Sequence, residues 1–558
     1  MNIKQKVLGI ARKVHRDKEL FYLYFKFFSP SKSLLINPRN VKYPTVDYNN
    51  SDLVLFPLLY GGRCTEMALQ ALLSHALNLR GVRTKFILCD RKLPICLSKV
   101  IDNINVNNCH YCYYVGKKFA SKMNMSANWI GDFIKDENIT DSNKFVSSLN
   151  FDEYYDLNYK GVNIGQYAEA ATKRFLLTGV IEDREFDKSI FSKYLVSAAL
   201  HVELSERILT TLKPTHLVIS NIAYLPGIFV EYFSNNGVKC IGCDFGILNG
   251  HLKLNHLDKE RKDILEISSK VWEKYSAQTL SDTHKKELEE LLASRARGTG
   301  MQVDHGKFAQ IKSKEGIANL LNIDIKKNIG ILFTNLLWDA SLARVDVVFK
   351  NPFEWIYETI NWFARHDEKI LVIKVHPAEE IHGTRLSFIS YINSKFSELP
   401  ENIILLPPKT EISTYSLFDV VNYGIVYTTT AGLEEAIRGI PVITAARTHY
   451  REKGFTFDAT NKEQYFRLLE SAEKLEMTPR MRDLANRYGY LQFCDREIPF
   501  KYIEFGEENF LSPELRLKDW HELLSGSDEN LDMICDGIIY GEEFLKKNYE
   551  AKEEGYQG

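Results

Sequence analysis

The sequence holds no uninterrupted apolar run approaching the roughly 20 residues that cross a bilayer, and no internal repeat or low-complexity tract. Neither a membrane-spanning helix nor a solenoid is expected. Net charge is also nearly absent: 71 Lys and Arg stand against 73 Asp and Glu. The basic excess that phosphate backbones select for is missing, so no nucleic-acid partner is expected. Cysteine is sparse and odd in number, nine in 558 residues, which excludes a disulfide-dense secreted scaffold. The opening residues lack the basic, apolar and small-residue order of a signal peptide, and a reducing cytoplasm is the expected compartment. What remains is an ordinary globular composition, 45% hydrophobic and 26% charged, on a chain too long for a single core.

The apolar runs alternate with helical stretches in two series. DLVLFPL from Asp52, a glycine turn at Gly61-Gly62, a helix from Thr65 to Leu79 and the strand VRTKFILCD from Val82 make a βαβ unit, whose right-handed crossover demands a parallel sheet. HLVIS from His216 and VKCIGCDF from Val238 repeat that grammar. A second series opens with NIGILFT at Asn328 and continues through KILVIKV at Lys369, NIILLP at Asn402, VVNYGIVYT at Val420 and IPVITA at Ile440. The expected fold is α/β: two doubly wound Rossmann-like domains facing a cleft, with helical additions at both ends. The expected division is an amphipathic helix over 1–28, an acceptor-side domain over 29–256, a helical connection over 257–325, a donor-binding domain over 326–475 and a helical extension over 476–558.

Ligands of such sheets collect at the carboxyl ends of the strands. His376, in the Lys374-Val375-His376-Pro377 segment, ends one predicted strand and would donate to a phosphate. Thr428-Thr429-Thr430 stand between another strand and a helix, where hydroxyls and unpaired N–H groups favour an anion, and Glu434 would accept from ribose hydroxyls. Asn335 and Asp339 follow the second series' first strand, as polar groups able to position a donor or acceptor. Arg451 and Lys453, after the IPVITA strand, would neutralise a diphosphate or an acidic sugar. In the first domain Glu66 and Asp244 occupy strand-end positions suited to a general base.

These motifs carry a resemblance. EEAIRGIPVI from Glu434 to Ile443 resembles the donor-site helix, glycine turn and strand of GT-B-fold glycosyltransferases. With VHP at His376 and TTTAGLEEAIRGIPV from Thr428, the chain resembles the capsule-polysaccharide biosynthesis transferases, including those that use CMP-activated Kdo, and more distantly bacterial sialyltransferases. The resemblance implies transfer of a sugar from a CMP- or NDP-sugar donor to a glycan or lipid-linked glycan acceptor. It places the donor phosphate at His376, Thr429 and Thr430 and the ribose at Glu434, and it makes Gly61, Gly62 and Glu66 an acceptor-side loop. Val426 stands where many retaining enzymes have a second Glu, eight before Glu434, so donor and stereochemistry stay open. A nucleotide-sugar 2-epimerase, a polyol-phosphate transferase and a non-catalytic scaffold of polysaccharide assembly are the alternatives.

Two further features stand outside that reading. Cys89, Cys96, Cys109 and Cys112 have spacings able to supply four thiolates to a structural zinc ion, the one cofactor expected; packed, reduced thiols are the alternative. The stripe Ile3, Val7, Ile10 and Val14, surrounded by Lys and Arg and followed by aromatics from Phe21 to Phe28, suits peripheral association with the cytoplasmic face of the inner membrane or with polysaccharide-assembly proteins.

Overall fold

The computed structural model describes residues 44, 46–48, 51–61, 64–96, 108–258, 261–299, 313–339, 342–381, 383–504 and 514–546. The amphipathic segment 1–28 lies outside them. Among the described residues no helix is long and apolar enough to cross a membrane.

The first sheet is built from β1 (Leu53–Leu58), β2 (Arg83–Leu88), β3 (Ala127–Trp129), β4 (His216–Ile219), β5 (Lys239–Phe245) and β6 (His251–Leu257). Its first five strands are parallel, and β6 returns antiparallel to β5. The helix Cys64–Leu79 ends as expected at Gly81, whose φ of 78° opens the left-handed turn into β2. The second sheet comprises β7 (Asn328–Phe333), β8 (Lys369–Lys374), β9 (Ile403–Leu406), β10 (Tyr423–Val426), β11 (Val442–Thr444) and β12 (Phe457–Asp458), all parallel. Its central strands are apolar almost throughout because helices cover both faces.

The spatial order is β3-β2-β1-β4-β5-β6 in the first sheet and β9-β8-β7-β10-β11-β12 in the second. Each sheet therefore starts in its middle, grows to one side, then jumps back across its first strand. That makes a topological switch point between β1 and β4 and another between β7 and β10. The expectation of two doubly wound domains holds.

The additions sit differently from the expected divisions. Helices Ser269–Ala277 and Asp282–Ala296 are not a free connection: Val271, Tyr275, Leu288 and Leu292 pack with Val426, Leu433, Val442 and Tyr488 as a helical layer of the second domain. The chain after 476 does not form a separate extension either. Helix Pro479–Tyr490 runs into a π turn at Leu491–Asp495, and β13 (Ile498–Pro499) then joins the edge of the first sheet against β6. Leu523, Leu531 and Ile534 go on to share the core of the first domain with Leu72 and Leu73. Helical periodicity announces a buried face but not the sheet that buries it.

Candidate functional site

The switch point of the second domain is closed by a pair of hydrogen bonds. Asn335, just beyond β7, donates from Nδ2 to the Thr428 hydroxyl at 2.8 Å, and its Oδ1 accepts the Thr428 backbone N–H at 3.2 Å. Both residues are buried, and the reciprocal pairing satisfies an amide that would otherwise be costly to hide. This clasp ties the ends of β7 and β10 together and fixes where the next residues, Thr429 and Thr430, begin helix Ala431–Ile437. Thr430 makes no side-chain cap bond. Gly432 lets that turn rest on Tyr450: a Cβ there would lie 2.5 Å from the phenol oxygen, which itself donates to the Thr429 carbonyl at 2.6 Å.

His376 sits at the end of the adjoining strand, β8, half-buried. Its backbone N–H donates to Thr334 Oγ1 at 3.0 Å, and its ring Nδ1 accepts the Ala378 N–H at 3.2 Å. Accepting at Nδ1 places the proton of the neutral ring on Nε2, making that nitrogen a donor. Three neighbouring strands, β8, β7 and β10, thus bring His376, Asn335 and Thr428 to Thr430 to one sheet edge. Thr334 and its bond to His376 were not anticipated, since a Thr ending a strand carries no distinctive sequence signal.

Other expected donor ligands take internal partners. Glu434 is buried and paired with Arg295 of helix Asp282–Ala296 at 2.6 Å, so its carboxylate anchors the helical layer instead of standing open to a ribose. Arg451 is a correction. Its guanidinium donates to Thr444 Oγ1 at 3.2 Å and to the Ala459 carbonyl at 2.6 Å, bracing its own loop rather than reaching for a diphosphate. Lys453 is half-buried beside it, and Asp339 is exposed on the loop after β7. Trp338 lies in that loop under the Arg174 guanidinium, 4.1 Å from its ring centroid, and joins the two domains. Arg385 adds to that junction with an ion pair to Asp187 at 2.5 Å.

The first domain's switch point gathers a second polar cluster. Asn221, which follows β4, donates from Nδ2 to Glu66 Oε1 at 3.2 Å and to the Tyr60 hydroxyl at 3.3 Å. Its backbone N–H reaches Asp244 Oδ2 at 3.5 Å. Asn221 holds a left-handed φ of 58°, a conformation that Asn tolerates and that concentrates at functional turns. The two carboxylates expected from strand-end position are therefore brought to one residue that sequence reasoning missed. Glu66 is buried and Asp244 half-buried. Gly61 has a packing duty: a Cβ would meet the Cys112 carbonyl oxygen at 2.5 Å and Gly116 Cα at 2.7 Å, so the turn needs glycine to pass helix Asn108–Lys122, independently of any substrate.

Among the described residues no group of three or more His, Cys, Asp or Glu is arranged to hold a metal, and Cys89, Cys96, Cys109 and Cys112 are free thiols. Burial, and after it the neighbouring Cys96, pushes the Cys89 thiol up to about 12. Cys240 and Cys243 are buried within β5, as packing residues.

Beside His376, Glu379 is buried, with Oε1 accepting the Phe388 N–H at 2.7 Å. Burial raises its carboxyl from 4.5 to about 7, against the opposing effect of that bond. The folded state thus favours the protonated acid. This contribution is complete below the unfolded value and is lost as pH rises through 7, a difference of about 3 kcal/mol. Glu379→Gln should therefore raise stability over the wild type at about pH 8, by up to about 3 kcal/mol, with no gain at about pH 4; urea unfolding at both pH values measures this.

Residues 261–492 match the family of capsule polysaccharide biosynthesis proteins. The matched span begins just after β6 leaves the first sheet and ends in the π turn that leads back to it, so it coincides with the second domain. Similar solved structures include the β-Kdo 2,4 transferase KpsC of Thermosulfurimonas dismutans, at 11% identity over 56% of this chain and 88% of that one, with a TM-score of 0.32. The glycosyltransferase SnogD of Streptomyces nogalater is similar at 11% identity over 79% and 95%, with a TM-score of 0.22. The UDP-GlcNAc 2-epimerase of Methanocaldococcus jannaschii is similar at 11% identity over 78% and 97%, with a TM-score of 0.28. No curated protein sequence matches the chain.

Proposed function

We propose that the protein is a glycosyltransferase of surface-polysaccharide synthesis, taking a sugar from a nucleotide-activated donor held at the second domain to a glycan acceptor held at the first. The observation that carries this reading is the Asn335–Thr428 clasp at the β7/β10 switch point, with His376 on one side and Thr429 and Thr430 on the other. A nucleotide belongs at such a crevice. The family match over 261–492 supports the reading, because it covers the domain that carries this crevice.

In this mechanism Nε2–H of His376 donates to a donor phosphate oxygen, and the Thr429 and Thr430 hydroxyls share the same anion. These contacts stabilise the charge that grows on the leaving phosphate as the glycosidic bond breaks. Across the cleft Asp244, oriented with Glu66 through Asn221, takes the proton of the acceptor hydroxyl as that oxygen bonds to the sugar carbon.

A thermal-shift screen with CMP, CDP, UDP and GDP tests donor binding, since a bound nucleotide stabilises the fold by mass action. His376→Ala should then keep the fold and lose about 1–3 kcal/mol of nucleotide binding or transition-state stabilisation, measured by calorimetry and turnover. Unchanged affinity and turnover would remove His376 from the site. Product analysis with labelled donor separates transfer from 2-epimerisation.

A further inference from the structure

β8 begins and ends with a buried lysine, and the two have different surroundings. At the amino end Lys369 donates to Glu473 at 2.6 Å and to the Glu470 carbonyl at 3.1 Å, an ordinary compensated buried cation. At the carboxyl end Lys374 is only 5% exposed. No ion pair or side-chain hydrogen bond engages its ammonium among the described residues. Its position is that of the candidate site. Lys374 pairs with Phe333 of β7 in register, its carbonyl accepts the Thr334 N–H at 3.1 Å, and Thr334 in turn holds the His376 backbone.

Strand alternation places the Lys374 side chain on the face of Ile370 and Val372, which pack with Phe333, Ile412 and Leu417. An apolar wall can house the four-carbon stem there, leaving the ammonium at the strand's end, two residues before His376. Burial also lowers its pKa to about 8. A largely buried ammonium with no counter-charge among the described residues is a cost to the fold that a ligand anion would relieve.

We propose that Lys374 is a donor-binding residue whose ammonium meets a phosphate oxygen of the nucleotide-activated sugar, completing the anion site of His376, Thr429 and Thr430. This rests on the donor-site reading above and adds a cation in place of Arg451, which is turned inward. The phosphate then neutralises the lysine, and nucleotide binding repairs an electrostatic defect of the ligand-free protein.

The test uses the full chain and the variants Lys374→Met and Lys374→Arg, titrated calorimetrically with CMP, UDP and GDP and with the nucleosides cytidine, uridine and guanosine. Thermal unfolding is followed without ligand. Methionine fills the stem's volume and removes the charge, so Lys374→Met should unfold at an equal or higher temperature than the wild type. It should bind the preferred nucleotide roughly 10- to 100-fold more weakly and its nucleoside unchanged, whereas Lys374→Arg should retain part of the nucleotide affinity. Wild-type nucleotide affinity in Lys374→Met, or an equal proportional loss for nucleotide and nucleoside, overturns the role of Lys374 alone. If the wild type itself shows no preference for any nucleotide over its nucleoside, the donor-site reading falls first and this inference with it.

Discussion

Asp244→Asn should lower turnover roughly 100- to 10,000-fold, the range for removing a positioned general base, while nucleotide affinity stays at the wild-type value. The substitution keeps the shape of the side chain at the end of β5 and removes its ability to take a proton. Of the two carboxylates that meet Asn221, Asp244 is the more exposed: it is half-buried, whereas Glu66 is 3% exposed and accepts Asn221 Nδ2 from within the domain. Glu66→Gln should accordingly act through position, shifting Asn221 and reducing turnover less. Single-turnover measurements with the sugar conjugate of the preferred nucleotide distinguish the two variants. Equal turnover in Asp244→Asn and wild type would require another base.

Glu497→Ala should cost about 3–5 kcal/mol of stability, the penalty for stranding a buried charge. Glu497 is fully buried and faces Lys253 of β6 at 2.7 Å, itself 3% exposed. Its second oxygen accepts the Leu248 N–H at 3.2 Å, while Lys253 also donates to the Gln492 carbonyl at 2.9 Å. Gly246 leaves the room, since a Cβ there would stand 2.1 Å from the carboxylate. This pair fastens the segment returning from the second domain onto the first sheet, so its loss should uncouple the domains in denaturant unfolding. The double variant Lys253→Met/Glu497→Leu should recover most of the loss, because two apolar side chains leave no orphan charge. Equal instability of the double and single variants would contradict this account.

The sheets are legible in the apolar runs and their spacing alone. Runs such as NIGILF and KILVIK can bury both faces only as central parallel strands. The polar residues directly after them must then stand at carboxyl ends, which is how the positions of His376, Asn335, Thr429 and Thr430 in the second sheet and of Asp244 in the first were legible. Which of the other candidates keep open chemistry depends on tertiary contacts. Glu434 and Arg451 carry the same charges in the sequence whether they meet a nucleotide or a neighbour; Arg295, 139 positions before Glu434, and the Ala459 carbonyl settle that by arriving first. The same holds for Asn221 and Lys374. Nothing local distinguishes an asparagine that joins two carboxylates, or a strand-end lysine with no ion pair among the described residues, because both properties depend on what long-range folding brings alongside.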